Sequence, residues 1–544
     1  MKRKTIFYNG PIYTMADGEK SSEAMVICDG FVEGTGTLAE MRLLAGESCN
    51  EVDLEGKSVL PGLCDCHSHA YTLGECERLM DLHGKTKKEI IQMVEQKCNE
   101  AEPGEWVTGV GWNQDIWEDD SFPTRFELDH VSPSNPVKLA RYCGNAYWCN
   151  SAALKAAGMY EAAADGGTRG KEYLVDSEGI LLGTLVGEAC NRLDAALPKP
   201  DKERRKKNYL LSQDVYLKYG LTSVMDKGAG IESALMENCS REAVIALKEL
   251  YDEKKLKVRM YEAIVGTDEF FDDCFDEGPQ IDLYNGRLTV RGIKLWSDGA
   301  FGPRTAYISE DYKGRDGHRG NKKFEDKELI DLFRIADEKG LQIAIHAIGD
   351  AATTQIIDCF EKAFEDSMDK DRRFIIEHFH APKKKDIDRL VKYNIIFSTQ
   401  FIQFSSDLGT IGSIIPDDMI GRIYPWRQAL DKGGIIVAGS DGPVDTSDPF
   451  KAMYVAVTRC DVNGKNDLED RPLKTLTRLE ALQAYTTAAA YAKYEENLSG
   501  SLEKGRYADF IVTDKDYFRC PVEEIKDISV LKTYIGGEQV YEKK

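Results

Sequence analysis

Histidine is scarce in this chain, with eight residues in 544. No apolar run approaches the roughly 20 residues of a bilayer span, which argues against a helical membrane protein. No long basic block interrupts a net charge of -22, so neither a nucleic-acid surface nor a membrane is an expected partner. The start, Met1-Lys-Arg-Lys-Thr-Ile-Phe-Tyr, is basic but lacks the apolar core and small-residue cleavage site of a secretory signal. The fourteen cysteines have the spacing of neither a zinc knuckle nor a secreted disulfide framework. A reducing cytoplasm is therefore the expected location, with those thiols reduced and buried. What is present is ordinary for a globular chain: 42% hydrophobic and 30% charged residues, in a length too great for one simple domain.

The first 60 residues are short apolar runs broken by Asn9-Gly10, Asp17-Gly18 and Asp29-Gly30, the pattern of β-hairpins. The last 45 repeat that style, as in Asp509-Phe-Ile-Val-Thr-Asp and Val530-Leu-Lys-Thr-Tyr-Ile. Neither end can form a core alone, so residues 1–60 and 500–544 are expected to build one composite β-sandwich. Between them, strand and helix patterns alternate, which predicts a parallel sheet. Strands are expected over 58–69, 221–226, 257–265, 288–296, 341–346, 374–378, 395–400 and 435–439. Eight such units, over 61–499, predict a closed (β/α)8 barrel, an α/β fold. Residues 72–200 break the rhythm and are expected to form an inserted subdomain after the first strand.

Four of the histidines stand where apolar runs end. His67 and His69 close Val59-Leu-Pro-Gly-Leu-Cys-Asp-Cys-His-Ser-His69, His346 closes Leu341-Gln-Ile-Ala-Ile-His346, and His378 closes Phe374-Ile-Ile-Glu-His378. A carboxylate, Asp441, follows Ile435-Ile-Val-Ala-Gly-Ser in the same way. The C-terminal ends of barrel strands are where such folds gather catalytic groups. Strict alternation along the first strand places Asp65, His67 and His69 toward the barrel, with Cys64 and Cys66 packed outside against helices. Lys294 lies in the apolar Ile293-Lys-Leu-Trp, where burial lowers an ammonium's pKa. A neutral amine there could take up carbon dioxide as a carbamate bridging two ions; an ion pair with Asp441 or Glu377 is the alternative.

These stretches resemble the amidohydrolase superfamily, specifically the amidohydrolase-3 (YtcJ-like) group that includes N-substituted formamide deformylases. The likeness runs through Pro61-Gly-Leu-Cys-Asp-Cys-His-Ser-His, Gly111-Trp-Asn, Asn150-Ser-Ala-Ala-Leu, Lys294-Leu-Trp-Ser-Asp-Gly, His346-Ala-Ile-Gly-Asp350, Ile376-Glu-His378 and Gly439-Ser-Asp441. It implies that His67, His69, His346, His378 and Asp441 match the family's metal and catalytic positions. Lys294 matches the lysine that is carbamylated where two metals bind. Trp112, Asn113, Asn145 and Arg304 are the candidate substrate contacts. The chain departs from the family in reading Cys143-Gly-Asn145 where Asp-Gly-His is usual, in Pro303 before Arg304, and in His380 two residues after His378.

The implied activity is metal-dependent hydrolysis of a non-peptide C–N bond in a small molecule, such as an N-substituted amide or formamide. A divalent cation would activate water and polarise the carbonyl. Zinc suits an imidazole-rich site, as one ion or two. Asp441 is the candidate proton carrier, and His378 either binds metal or hydrogen-bonds the carbonyl oxygen. Two other readings keep the same site: a deaminase or cyclic-amide hydrolase, and a metal-binding barrel without activity. A homodimer is compatible with any of them.

Overall fold

The computed structural model of the protein describes residues 4–16, 18–118, 121–141, 146–160, 173–175, 181–186, 188–198, 201–229, 231–232, 237–238, 240–265, 278–466 and 473–544. The chain divides into two compact units, one of Met1–Leu73, Ser212–Ile231 and Asn238–Lys544, the other of Gly74–Leu211 with Glu232–Glu237.

The first unit contains the barrel. Its strands are β1 (Leu63–Ser68), β2 (Leu221–Ala229), β3 (Arg259–Val265), β4 (Leu288–Trp296), β5 (Gln342–Ala347), β6 (Ile375–His378), β7 (Ile396–Thr399) and β8 (Ile436–Ala438). Each pairs in parallel with the next in chain order. Beyond β8 the chain returns to β1 through a parallel bridge between Gly442 and Ser68. The strands are short, apolar and buried along their length, as strands covered on both faces must be. Helices Asp326–Glu338, Asp350–Phe364 and Lys384–Lys392 lead into β5, β6 and β7.

The expected first strand is two strands. Ser58–Pro61 pairs antiparallel with Phe510–Thr513 in the terminal sheet, and only Leu63–Ser68 belongs to the barrel. Gly62 is the crossing point, where a Cβ would lie 2.2 Å from Thr222 Oγ1. The terminal sheet has eight strands drawn from both ends of the chain. Its core includes the stacked rings of Phe510 and Tyr534, 4.4 Å apart, with Phe7 edge-on to both.

Strict alternation along β1 also fails. Cys64 and Cys66 join Met225, Tyr261, Ala344, Ile375, Ile396 and Val437 in one buried apolar cluster. Those partners come one each from six other strands, and Ala489 and Ala492 of helix Thr487–Ala492 complete the cluster, so the cysteines fill the barrel rather than its outer layer. The reason is a register shift: three steps along β1, Asp65 to Ser68, oppose two along β2, Val224 to Asp226. The extra residue is a bulge, which turns His67 to the side Cys66 already faces. Every described cysteine is a free thiol.

The second unit is a six-stranded sheet running, in spatial order, Tyr173–Val175, Leu181–Val186, Ala146–Cys149, Val137–Arg141, Val107–Trp112 and Met80–Asp81. Helix Lys87–Glu100 contributes Ile90 and Val94 to a core built around Trp112, Trp117 and Trp148. Among the described residues no helix is long and apolar enough to cross a membrane.

Closure of the barrel depends on close approach at Gly439, where a Cβ would fall 2.4 Å from His67 N and 2.8 Å from Asp65 Oδ1. Gly439→Ala should therefore lower stability by about 1–3 kcal/mol, read from denaturant midpoints. Gly302→Ala, where no atom lies within 4 Å of the new carbon, should change it little. Equal midpoints for the two variants would refute the close-packed seam.

Candidate metal centre

The candidate ligand residues His67, His69 and Asp441 are positioned by the seam between β8 and β1. Asp441 N donates to His67 O (2.6 Å) and His69 N to Gly442 O (2.9 Å). The Asp65 carboxylate stitches the same seam, accepting from Ser440 N (3.0 Å), Ser440 Oγ (2.6 Å) and His67 N (3.1 Å). Asp441 and His378 both hold left-handed backbone conformations, with φ of 59° and 75°. Such strain in non-glycine residues concentrates at functional sites.

Five of the eight histidines gather here. Ring centroids lie 5.5 Å apart for His67 and His69, 4.9 Å for His67 and His378, 4.3 Å for His346 and His378, and 5.7 Å for His378 and His380. Ligand atoms of His67, His378 and Asp441 all lie within 4.8 Å of one another, the geometry of a metal-binding group. Asp441 Oδ1 is also 3.1 Å from His69 Nε2 and 3.4 Å from His67 Nε2. His346 stands beside this group, with Nε2 directed at Gly299 O (2.9 Å). Lys294 Nζ donates to His67 Nε2 (3.1 Å), not to either carboxylate considered for it.

Neighbouring side chains fix the tautomers. Glu377 Oε2 accepts from His67 Nδ1 (2.7 Å), and Gln400 Oε1 from His378 Nδ1 (2.9 Å). Both Nε2 atoms then carry lone pairs. Glu377 is itself held by Lys227 Nζ, 3.1 Å from Oε1. Asp441 Oδ2 accepts from Gln403 Nε2 (2.9 Å), and Gln403 Oε1 from His380 Nε2 (3.1 Å). Asp298, near His346 Nε2 (3.4 Å), is anchored by the backbone N–H groups of Tyr307, Ile348 and Gly349.

Burial suits these groups to a cation. It lowers the His67 pKa to about 4 and that of His346 to about 3, helped in both by Lys294, and it lowers His378 as well. The imidazoles are therefore neutral near pH 7, as ligands must be. Burial also lowers Lys294 to about 8. For Asp441 burial acts in the opposite sense, but His67, His69 and Lys294 outweigh it and hold the carboxylate below its usual range. The buried His69 Nδ1 has no hydrogen-bond partner. The donor set fits a divalent metal.

The remaining candidates are not among the groups described above. Trp112 is fully buried in the second unit, with Nε1 donating to Leu139 O (2.8 Å). Asn113 caps the turn Gln114–Ile116 there, and Asn145 lies outside the described residues. Arg304, in the loop after β4, has a buried Nε without a hydrogen bond. His83 and His130 are exposed, and His318 bonds Arg304 O (2.8 Å). Four participants were not singled out from sequence: Lys227, Gln400, Gln403 and Glu377 as the partner of His67. A charged residue inside a buried strand run, as at Lys227 and Glu377, was the available signal.

A parallel eight-stranded barrel with histidines and an aspartate at its strand ends defines a hydrolase of the metal-dependent class. Residues 50–541 match the Amidohydrolase family, and the chain belongs to it. Among curated relatives, the chain is 28% identical to N-substituted formamide deformylase of Arthrobacter pascens, across 99% of each chain. It is 29% identical to Protein LONG AFTER FAR-RED 3 of Arabidopsis thaliana, covering 98% of this chain and 91% of that one. Among solved structures, an uncharacterized metal-dependent hydrolase from Pyrococcus horikoshii superposes with a TM-score of 0.77 at 26% identity, over 95% of this chain and 99% of that one.

Glu377→Ala should weaken metal affinity about 10–100-fold, the usual cost of losing a group that orients a ligand. Glu377→Gln, which keeps an acceptor for His67 Nδ1, should retain much of it. Chelator competition measures both, and an alanine variant of unchanged affinity would remove Glu377 from this role.

Proposed function

We propose that this chain hydrolyses a non-peptide C–N bond in a small molecule, with an N-substituted formamide or related amide as the substrate class. The observation carrying this reading is the convergence of His67, His378 and Asp441 ligand atoms in one buried group. The formamide deformylase that matches across nearly its whole length supports the substrate class. His67, His69, His346, His378, Asp441 and Lys294 would hold one or two divalent ions, for which zinc suits the imidazole donors. The ion would supply Lewis-acid polarisation of the carbonyl and activation of water. Asp441 is the proton carrier: Gln403 fixes its Oδ2, and the carboxylate can take a proton and return it to the departing nitrogen. His378 stands beside it to bind the ion or the carbonyl oxygen, and Arg304 contributes a free donor for substrate.

Asp441→Asn removes the titrating group while keeping the shape, and should lower kcat by about 10²–10⁴-fold. Assay against a formanilide-type amide panel with formate and ammonia measured separately tests the reaction class. Formate with amine supports deformylation, whereas ammonia released without a carboxylate would replace it with deamination.

Lys294 carbamylation has its own signature. The amine becomes nucleophilic as pH rises through about 8, so bicarbonate should speed metal reconstitution more at pH 8.5 than at pH 6.5. A ¹³C carbamate resonance should appear after labelling with bicarbonate and be missing from Lys294→Met. Its absence from the wild-type protein would exclude the modification.

A further inference from the structure

A concentration of positive charge stands outside the metal centre, in a chain whose net charge is -22. A cleft of about 480 Å³ beside the segment joining β7 to β8 is lined by Lys384, Arg422, Arg427, Lys432, Arg459 and Lys474, with Asp431 the one carboxylate among its described lining residues. That volume lies within the range of small-molecule sites. Three of the cations are already neutralised: Arg422 pairs with Asp350 (3.1 Å), Arg427 with Glu480 (2.6 Å) and Asp431 (2.8 Å), and Lys432 with Asp388. Lys384 and Lys474 are exposed at the rim. Neither they nor Arg459 has a carboxylate in ion-pairing range among the described residues.

Arg459 is the informative residue. Its exposure is 2%, and its guanidinium lies 3.7 Å from the Trp426 ring centroid. Nε donates to Lys474 O (3.2 Å) and Nη2 to Tyr424 O (2.6 Å), while Nη1 is buried with no partner. Burying a guanidinium against two carbonyls, without a counter-charge, is costly. Burial pushes its pKa down to about 9, the direction expected of a cation lacking an anion. The aromatic stacking explains how the side chain is held in place, but no carboxylate among the described residues balances its charge.

We propose that this cleft binds a phosphate or carboxylate group carried by a small molecule, with Arg459 at its back and Lys384 and Lys474 at its mouth. The site is separate from the metal centre and shares none of its ligands. It does, however, share a wall with it: Tyr424, whose carbonyl Arg459 holds, donates its own N–H to His380 O (2.5 Å). A long polyanion is disfavoured, because the strongly acidic chain around a small concave patch would repel it.

The test is calorimetric titration of inorganic phosphate, and separately of malonate, into the metal-loaded full chain at ionic strength held constant with sodium chloride. Saturable binding of either is expected, and the anion that binds identifies the group. The Lys384→Gln/Lys474→Gln double variant, altered only at exposed positions, should bind at least about tenfold more weakly. Arg459→Gln should abolish binding; should it fail to fold, the rim variant still decides the matter. Lys432→Gln, whose ammonium is already engaged, should bind nearly as the wild type does. Absence of saturable binding by both anions would overturn the proposal. So would undiminished binding in the double variant, which would place the anion at the metal centre.

Discussion

The backbone bond from Asp441 N to His67 O is the constraint on which the rest of this molecule depends. A barrel closes only where its last strand meets its first, and here the two residues that make the closure also carry side chains of the candidate metal-binding group. Their separation is therefore set by barrel geometry rather than by loop conformation. Gly439 permits the approach and Asp65 secures it by bonding both Ser440 and His67. The left-handed backbone at Asp441 costs of the order of 1–3 kcal/mol and persists because the seam leaves the chain no other course.

Around that seam the protein has built polar chains two residues deep, joined by hydrogen bonds and one ion pair. One runs from Lys227 through Glu377 to His67, the other from His380 through Gln403 to Asp441. Each ends on a residue of the candidate metal group and fixes which atom of the ring or carboxylate is turned toward the other members of that group. A buried lysine and glutamate would be a poor source of stability in themselves. Their placement is better understood as orientation: Glu377 compels His67 to present Nε2, and Lys227 offsets the charge this requires.

Much of this could be read from the chain before any coordinates. Strand-end histidines, an aspartate at the end of the last apolar run and a lysine within the fourth are local features, visible because buried strands leave little room for polar residues. The bulge in β1 was not visible, since one extra residue leaves no mark on an apolar run, and so the cysteines were assigned to the wrong face. The split at Gly62 escaped for a related reason: Ser58–Ser68 is uniformly apolar enough to read as one strand, although its halves join different sheets. Gln400 caps, and Gln403 lies within, the helix Phe401–Asp407 after β7, and only folding brings them to His378 and Asp441. His380 lies beyond the end of β6, and the positive φ of His378 and Phe379 brings it back to the site.

Lys294 sets the remaining logic of the centre. Its ammonium sits 3.1 Å from His67 Nε2, the lone pair that a cation would need. Two like charges cannot share that position in a buried site. An arriving divalent ion must therefore displace the ammonium or meet the lysine in another form. As a neutral amine it would remove the repulsion, and as a carbamate it would replace a positive group by an anionic oxygen donor. In that second form the charge balance changes by two, which a second divalent ion would compensate. The number of metals and the chemical state of one lysine are thus a single electrostatic question, decided in the space between β1 and β4.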